Sequence, residues 1–390
     1  MNARRRIAIV TGSRAEYGHM RWLVRDLRDD PDVEVIVMAA AAHLSPWHGN
    51  TVGEIEADGV AVMRIESLVV GDSALATAKS MALALQGFAD ALERWRPDVM
   101  VVLGDRFEML AAAEAAMLLR IPIAHLHGGE TTEGAIDEAC RHAITKMAHL
   151  HFVAAEPYRQ RVVQLGEDPA KVFNFGAPGL DSLSRLTFPR RDELEAGLGV
   201  PLVSPVLLVT YHPETLSEQD QGEAVGCLVD ALDRFPEATV VVTGVNADPG
   251  SSAVAARIHP WAAARARCRV VSSLGAVRYL ALMRLADAVV GNSSSGIIEA
   301  PALKVATVNI GNRQGGRLRA DSVIDCAADS DAIAASIALA LSPDFRRRAA
   351  ETSSPYGMGE ASAKIAAVLK NHTLDGLLSK SFLSSERQAS

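Results

Sequence analysis

Ile7-Ala8-Ile9-Val10-Thr11-Gly12-Ser13-Arg14-Ala15-Glu16-Tyr17-Gly18 is the stretch on which the fold turns. An unbroken apolar run ends in a turn of small residues, and a segment with helical spacing follows. A strand that is apolar on both faces belongs in a parallel sheet covered by helices on each side. Runs of the same kind recur at 33–38, 60–65, 99–103, 121–126 and 151–153. Between them lie Ala- and Leu-rich stretches with helix periodicity at 15–29, 74–95, 106–119 and 135–148. This alternation predicts a doubly wound α/β domain.

The pattern slackens over Gly176-Ala-Pro-Gly179 and Phe188-Pro-Arg-Arg191. It restarts with apolar runs at 206–210, 239–242, 270–271, 288–290 and 306–310. The reading is two Rossmann-like domains, 1–180 and 181–370, with the boundary near 176–204. A last helix at 360–369 is free to pack on either domain, and the polar tail 371–390 is expected to fray. Such domains bind ligands at the carboxyl ends of their strands, so two of them predict parallel sheets facing a central cleft.

The chain has 390 residues, 49% of them hydrophobic and 22% charged, enough apolar surface for two cores. A net charge of −8 argues against nucleic acid as a partner, while a few local arginines suffice for a nucleotide. The four cysteines, Cys140, Cys227, Cys268 and Cys326, form no metal-binding or disulfide pattern. The apolar run after Arg4-Arg5-Arg6 is too short for a signal sequence, and no stretch is long enough to cross a bilayer. The expectation is a soluble cytoplasmic protein.

Unusual residues gather behind the predicted strands. Thr11-Gly12-Ser13-Arg14 offers backbone N–H groups and a guanidinium to an anion. There is no G-x-G-x-x-G, which removes the dinucleotide fingerprint. Gly104-Asp105-Arg106-Phe107-Glu108 places Asp105 either as a helix cap or as a carboxylate at the strand end. His125-Leu-His127-Gly-Gly-Glu130 continues to Glu133, Asp137 and Glu138, with Arg141 four residues after Asp137. Alternation puts His125 and His127 on one strand face, and crowded carboxylates separate into an acid and a base. His212 ends another strand, where an imidazole can assist a leaving phosphate. Gly291-Asn292-Ser293-Ser294-Ser295-Gly296 opens a helix with hydroxyls and free N–H groups, a phosphate cradle. Glu299 is placed to take ribose hydroxyls, and Arg313 and Arg317 stand among glycines beyond the next strand.

Several of these stretches together resemble the hydrolysing UDP-N-acetylglucosamine 2-epimerases. They are Gly12-Ser-Arg14-Ala-Glu-Tyr17, His43-Leu with Gly49-Asn-Thr51, Gly104-Asp-Arg-Phe107, and Gly128-Gly-Glu130 with Ile136-Asp-Glu138. The match continues through Arg141-His-Ala-Ile-Thr-Lys146, His212-Pro213, Gly291-Asn-Ser-Ser294 and Arg313-Gln314. The resemblance implies a GT-B-type pair of domains, a homodimer or homotetramer, with neither metal nor cofactor. It implies elimination of UDP across C1–C2 to a 2-acetamidoglycal, then hydration with inverted configuration at C2. Asp105, Glu130, Asp137, Glu138, His127, His43 and His212 fall at the catalytic positions. Arg14, Arg106, Gly291, Asn292, Ser293, Ser294, Glu299, Arg313 and Gln314 fall at those binding UDP. One family glutamate corresponds to His127 here, so either His127 or Glu130 supplies that group. Rival readings are a non-hydrolysing epimerase, a GT-B glycosyltransferase and a silent sugar-nucleotide sensor.

Overall fold

The computed structural model describes residues 4–69, 71, 73–132, 136–212, 221–243, 251–271 and 274–383. The first sheet comprises β1 (Arg5–Thr11), β2 (Val33–Ala40), β3 (Ala61–Ile65), β4 (Val99–Leu103), β5 (Ile123–Leu126), β6 (Leu150–Val153) and β7 (Val172–Asn174). They lie in the order β3-β2-β1-β4-β5-β6-β7, and the pairings are parallel. Along β1, Ile7 and Ile9 enter one core with Met20, Val24 and Leu27, while Ala8 and Val10 enter another with Phe88 and Met100. Both faces are therefore apolar, which is why the strand reads as a continuous run. The helix Arg14–Arg28 buries Tyr17, Met20, Val24 and Leu27 as one stripe. Ser13 starts it, its Oγ accepting the Glu16 amide at 3.4 Å.

The second sheet comprises β8 (Val206–Thr210), β9 (Thr239–Thr243), β10 (Cys268–Val271), β11 (Ala288–Gly291), β12 (Ala306–Ile310) and β13 (Val323–Cys326), in the order β10-β9-β8-β11-β12-β13. Leu207, Val209, Val240 and Val308 pack on one face, and Leu208, Val241 and Val289 on the other. Both sheets follow the Rossmann path: they wind outward from the first strand, then restart beside it. The order reverses at β1/β4 and at β8/β11, and ligands of open α/β sheets bind at such switch points.

The compact units are residues up to 182 together with those from 357 onward, and residues 183–356. The sequence assigned 181–370 to the second domain, and the last helix corrects this. In the helix Ala361–Asn371, Ile365 and Leu369 join the core of Ile7 and Met20. Asp181 accepts the first amides of that helix, Ala361 at 2.9 Å and Ser362 at 2.7 Å. Nor is the tail frayed throughout. Lys380 Nζ reaches the buried carboxylate of Glu167 at 2.7 Å, and the Leu383 amide donates to the Gly166 carbonyl at 3.1 Å. Amphipathic spacing announces that a helix has a partner without saying which core supplies it. No helix among the described residues is long and apolar enough to cross a membrane.

Candidate active site

In the first unit the switch point is built around a close approach. The Gly12 amide donates to Glu16 Oε2 at 2.6 Å. A Cβ at Gly12 would stand 2.7 Å from Cγ of Glu108, so only glycine fits this turn. Behind β4, Asp105 does not cap the helix Phe107–Leu118; the cap position is Arg106, and no side chain caps it. Asp105 instead pairs with Arg141. The buried Arg141 also donates to Glu138 Oε2 at 2.9 Å, Thr132 Oγ1 at 2.7 Å and the Glu130 carbonyl at 3.0 Å. One guanidinium thus gathers the β4 end, the loop after β5 and the helix Asp137–Met147. The sequence singled out the acids and treated Arg141 as a partner of Asp137; its role as the hub was missed. Asp137 lies part-buried in the first turn of that helix, and Glu133 lies outside the described residues.

The two histidines part company. β5 ends at Leu126, and His127 takes a left-handed φ of 62°, so they do not share a strand face. His125 is fully buried, its Nε2 2.7 Å from the Gly104 carbonyl and its Nδ1 3.1 Å from Thr145 Oγ1. Burial pushes it down to about 3, so it is neutral. His127 Nδ1 lies 2.6 Å from Glu130 Oε1. A carboxylate only accepts, so in this pair Nδ1 carries the proton. Nε2 is buried and has no partner among the described residues. The two side chains that the sequence offered as alternatives are thus hydrogen-bonded to each other.

In the second unit, Gly291 ends β11 with φ 138°, and a Cβ there would collide with the Thr210 carbonyl. The next residue ties the loops together. Asn292, fully buried, accepts the His212 amide on Oδ1 at 2.7 Å and donates Nδ2 to the His212 carbonyl at 2.8 Å. Its own carbonyl accepts Arg313 Nη1 at 3.2 Å and Gln314 Nε2 at 2.9 Å. Ser294 stands at the cap position of the helix Ser295–Ala302 without a side-chain cap bond, and Ser293 Oγ accepts the Ser295 amide at 3.4 Å. Oε2 of Glu299 and Oε1 of Gln314 are buried with no hydrogen-bond partner among the described residues. Burial raises the Glu299 carboxyl. These acceptor oxygens would be satisfied by hydroxyl or N–H donors of a ligand, and the bare helix N-terminus by its anionic part. Tyr279, which the sequence did not suggest, brings its hydroxyl to 3.3 Å from Thr210 Oγ1.

A family model described as UDP-N-acetylglucosamine 2-epimerase matches residues 25–370. The chain belongs to this family. It is 40% identical over 324 residues, 83% of this chain and 84% of the other, to a hydrolysing GDP/UDP-N,N'-diacetylbacillosamine 2-epimerase of Campylobacter jejuni. To a hydrolysing UDP-N,N'-diacetylbacillosamine 2-epimerase of Legionella pneumophila it is 36% identical, over 94% of this chain and 96% of the other. The polysialic acid biosynthesis protein P7 of Escherichia coli is also 36% identical, over 94% of each chain. Among solved structures, UDP-GlcNAc 2-epimerase from Neisseria meningitidis bound to UDP-GlcNAc superposes with a TM-score of 0.80 at 19% identity, covering 93% of this chain and 99% of that one. The fold expected from the sequence, two Rossmann-like domains of the GT-B class, is that of the family.

His43, expected at the rim, is buried with Nε2 3.0 Å from Thr11 Oγ1 and Nδ1 2.8 Å from Thr51 Oγ1. Burial holds it down at about 4. Asn292 is an internal tie rather than an open contact. Arg14 is exposed and pairs with Glu54 at 2.9 Å. Pro213 and Glu214, beyond His212, lie outside the described residues. No group of three or more metal-type ligands occurs among the described residues.

Proposed function

We propose that this chain is a hydrolysing 2-epimerase of UDP-2-acetamido sugars. It converts UDP-N-acetylglucosamine or UDP-2,4-diacetamido-2,4,6-trideoxyglucose to UDP and the free manno-configured sugar. The observation that carries the reading is the gathering of Asp105, Glu138 and the Glu130 loop around Arg141, with His127 bound to Glu130. The reaction moves two protons: one leaves C2 as UDP departs, and one is added to C2 from the opposite face as water attacks C1. Such chemistry requires two separately held proton-transfer groups. His127, oriented by Glu130, is one; Asp105, oriented by Arg141 together with Glu138, is the other, and Asp137 attends them.

In the second unit, Ser293, Ser294 and the helix N-terminus hold the diphosphate, with Arg313 adding charge. Glu299 and Gln314 take the nucleoside, and His212 assists the departing UDP. Arg14 and Arg106 add positive charge for the anionic substrate. The names of the Campylobacter and Legionella relatives favour the diacetamido sugar, and the polysialic acid protein favours a product destined for acidic sugars of the sialic or legionaminic type. A cytoplasmic location follows from the nucleotide-sugar substrate. Leu75 and Leu83 on one helix and Met117 and Leu118 on the next are exposed, which supports a homo-oligomer.

Proton NMR of the products in D2O tests the reading with each sugar nucleotide in turn. Free UDP with a manno-configured sugar deuterated at C2 is expected from one of them. A UDP-bound manno sugar would mean the non-hydrolysing reaction, and intact substrate in both samples would overturn the proposal.

A further inference from the structure

Two buried carboxylates at the β1/β4 switch point have no part in the reaction just described. Glu16 on the helix Arg14–Arg28 and Glu108 on the helix Phe107–Leu118 are 7% and 0% exposed. Both turn toward one guanidinium: Arg106 Nε lies 2.7 Å from Glu108 Oε1 and 3.7 Å from Glu16 Oε1. Glu16 Oε2 accepts the Gly12 amide. Glu16 Oε1 and Glu108 Oε2 are buried and make no hydrogen bond among the described residues. A pair of buried carboxylates cannot both stay ionised beside a single cation without leaving an uncompensated charge.

We propose that Glu16 and Glu108 are positioning residues for Arg106. Glu108 grips the guanidinium at Nε and Glu16 beside it holds one proton, so that the cluster stays neutral and Arg106 can turn its outer nitrogens to the anionic part of the substrate. This rests on the proposed function, in which Arg106 meets a nucleoside diphosphate. With one proton on the pair, the charges of the three side chains cancel. Without it the cluster is anionic and repels a diphosphate. Desolvation, and then the charge of Glu108, raises the Glu16 carboxyl to about 7, so the change falls within the working range of an enzyme. Of the other groups facing the cluster, Asp137 on the neighbouring helix acts on Arg106, and Cys140, one turn on, feels Glu108. Asp137 adds to the penalty for losing the proton.

The test is KM and kcat for the sugar nucleotide from pH 6 to 8, in the wild type, Glu16→Gln and Glu108→Gln. A sugar nucleotide's diphosphate does not titrate in this range. The wild-type KM should rise on the order of tenfold, the effect of one added charge near a diphosphate at an effective dielectric of about 20, with kcat changing less. Glu16→Gln, neutral at every pH and able to keep the Gly12 bond, should hold KM at its low-pH value. Glu108→Gln, having lost the ionic grip, should raise KM even at pH 6. A flat wild-type profile, or a Glu16→Gln profile that still rises, overturns the proposal. Infrared difference spectra between pH 6 and 8 provide a readout independent of turnover: the stretch of a protonated carboxyl should disappear with rising pH and be missing in Glu16→Gln. Its absence from the wild type overturns the proton on Glu16 even if no substrate is found, whereas failure of turnover with the band present condemns only the assigned reaction.

Discussion

Replacing Asn292 by aspartate should destabilise the second unit in a way that depends steeply on pH. The asparagine satisfies both polar groups of the His212 backbone, at 2.7 and 2.8 Å, from a fully buried position. An aspartate keeps the acceptor for the His212 amide, but its second oxygen then faces a carbonyl. Protonation restores the donor. An ordinary aspartate has a pKa of about 3.9, so holding the proton at pH 7.5 costs about 5 kcal/mol, at ~1.4 kcal/mol per unit. The folded variant's carboxyl is raised above its unfolded value. Its stability is therefore intact below about pH 4 and is lost as the pH rises toward the folded value. Asn292→Ala removes both hydrogen bonds to the His212 backbone and should lose about 2 kcal/mol or more at every pH. Urea unfolding at pH 4.5 and 8, with hydrogen exchange of peptides covering 206–212 and 288–292, measures both effects. A gap between Asn292→Asp and wild type that is under ~0.5 kcal/mol at pH 8, with exchange unchanged, would refute the reasoning.

Asp105→Asn should abolish turnover while UDP affinity, measured by calorimetry, stays within a few-fold of wild type; a wild-type rate would remove Asp105 from the chemistry. Burial pushes Asp58 up, but Arg21, Arg25 and Tyr17, each at 2.7 Å, hold it down at about 2. A folded value below the unfolded one adds stability above about pH 4 that is lost as the pH falls toward 2, so the acid limb of the melting curve should flatten in Asp58→Asn. Lys380→Ala takes one of two lysines from the buried Glu167, which also meets Lys146 at 2.5 Å and the imidazole of His151 at 3.1 Å. The loss should be about 1–3 kcal/mol in the first unit, and an unchanged melting temperature would mean that the tail contributes nothing.

The sheets were legible because every central strand is buried on both faces, and an unbroken apolar run is a strong signal. The edge strands β7, with Val172-Phe-Asn174, and β13, with Val323-Ile-Asp-Cys326, escaped notice. They are short and only partly buried, so their sequences carry no run. The last helix was recognised as a helix and placed in the wrong unit, because the Asp181 carboxylate that caps it lies 180 residues earlier. Pairings across that distance leave no trace in local periodicity.

The site was legible in its residue types and illegible in its geometry. Spacing along a strand predicted that His125 and His127 would act together. A single left-handed residue at His127 undoes that, sending one imidazole into the core and the other to Glu130. The same limit hid the hub. Arg141 reads on the sequence as one half of a helical ion pair, yet its value lies in reaching Asp105, which stands beyond the end of β4. The carboxylates drew attention because acids in a row look like chemistry, but acids in a row repel. What lets them approach is the buried cation Arg141, and what makes Glu16 and Glu108 worth testing is that their own cation, Arg106, is one charge short.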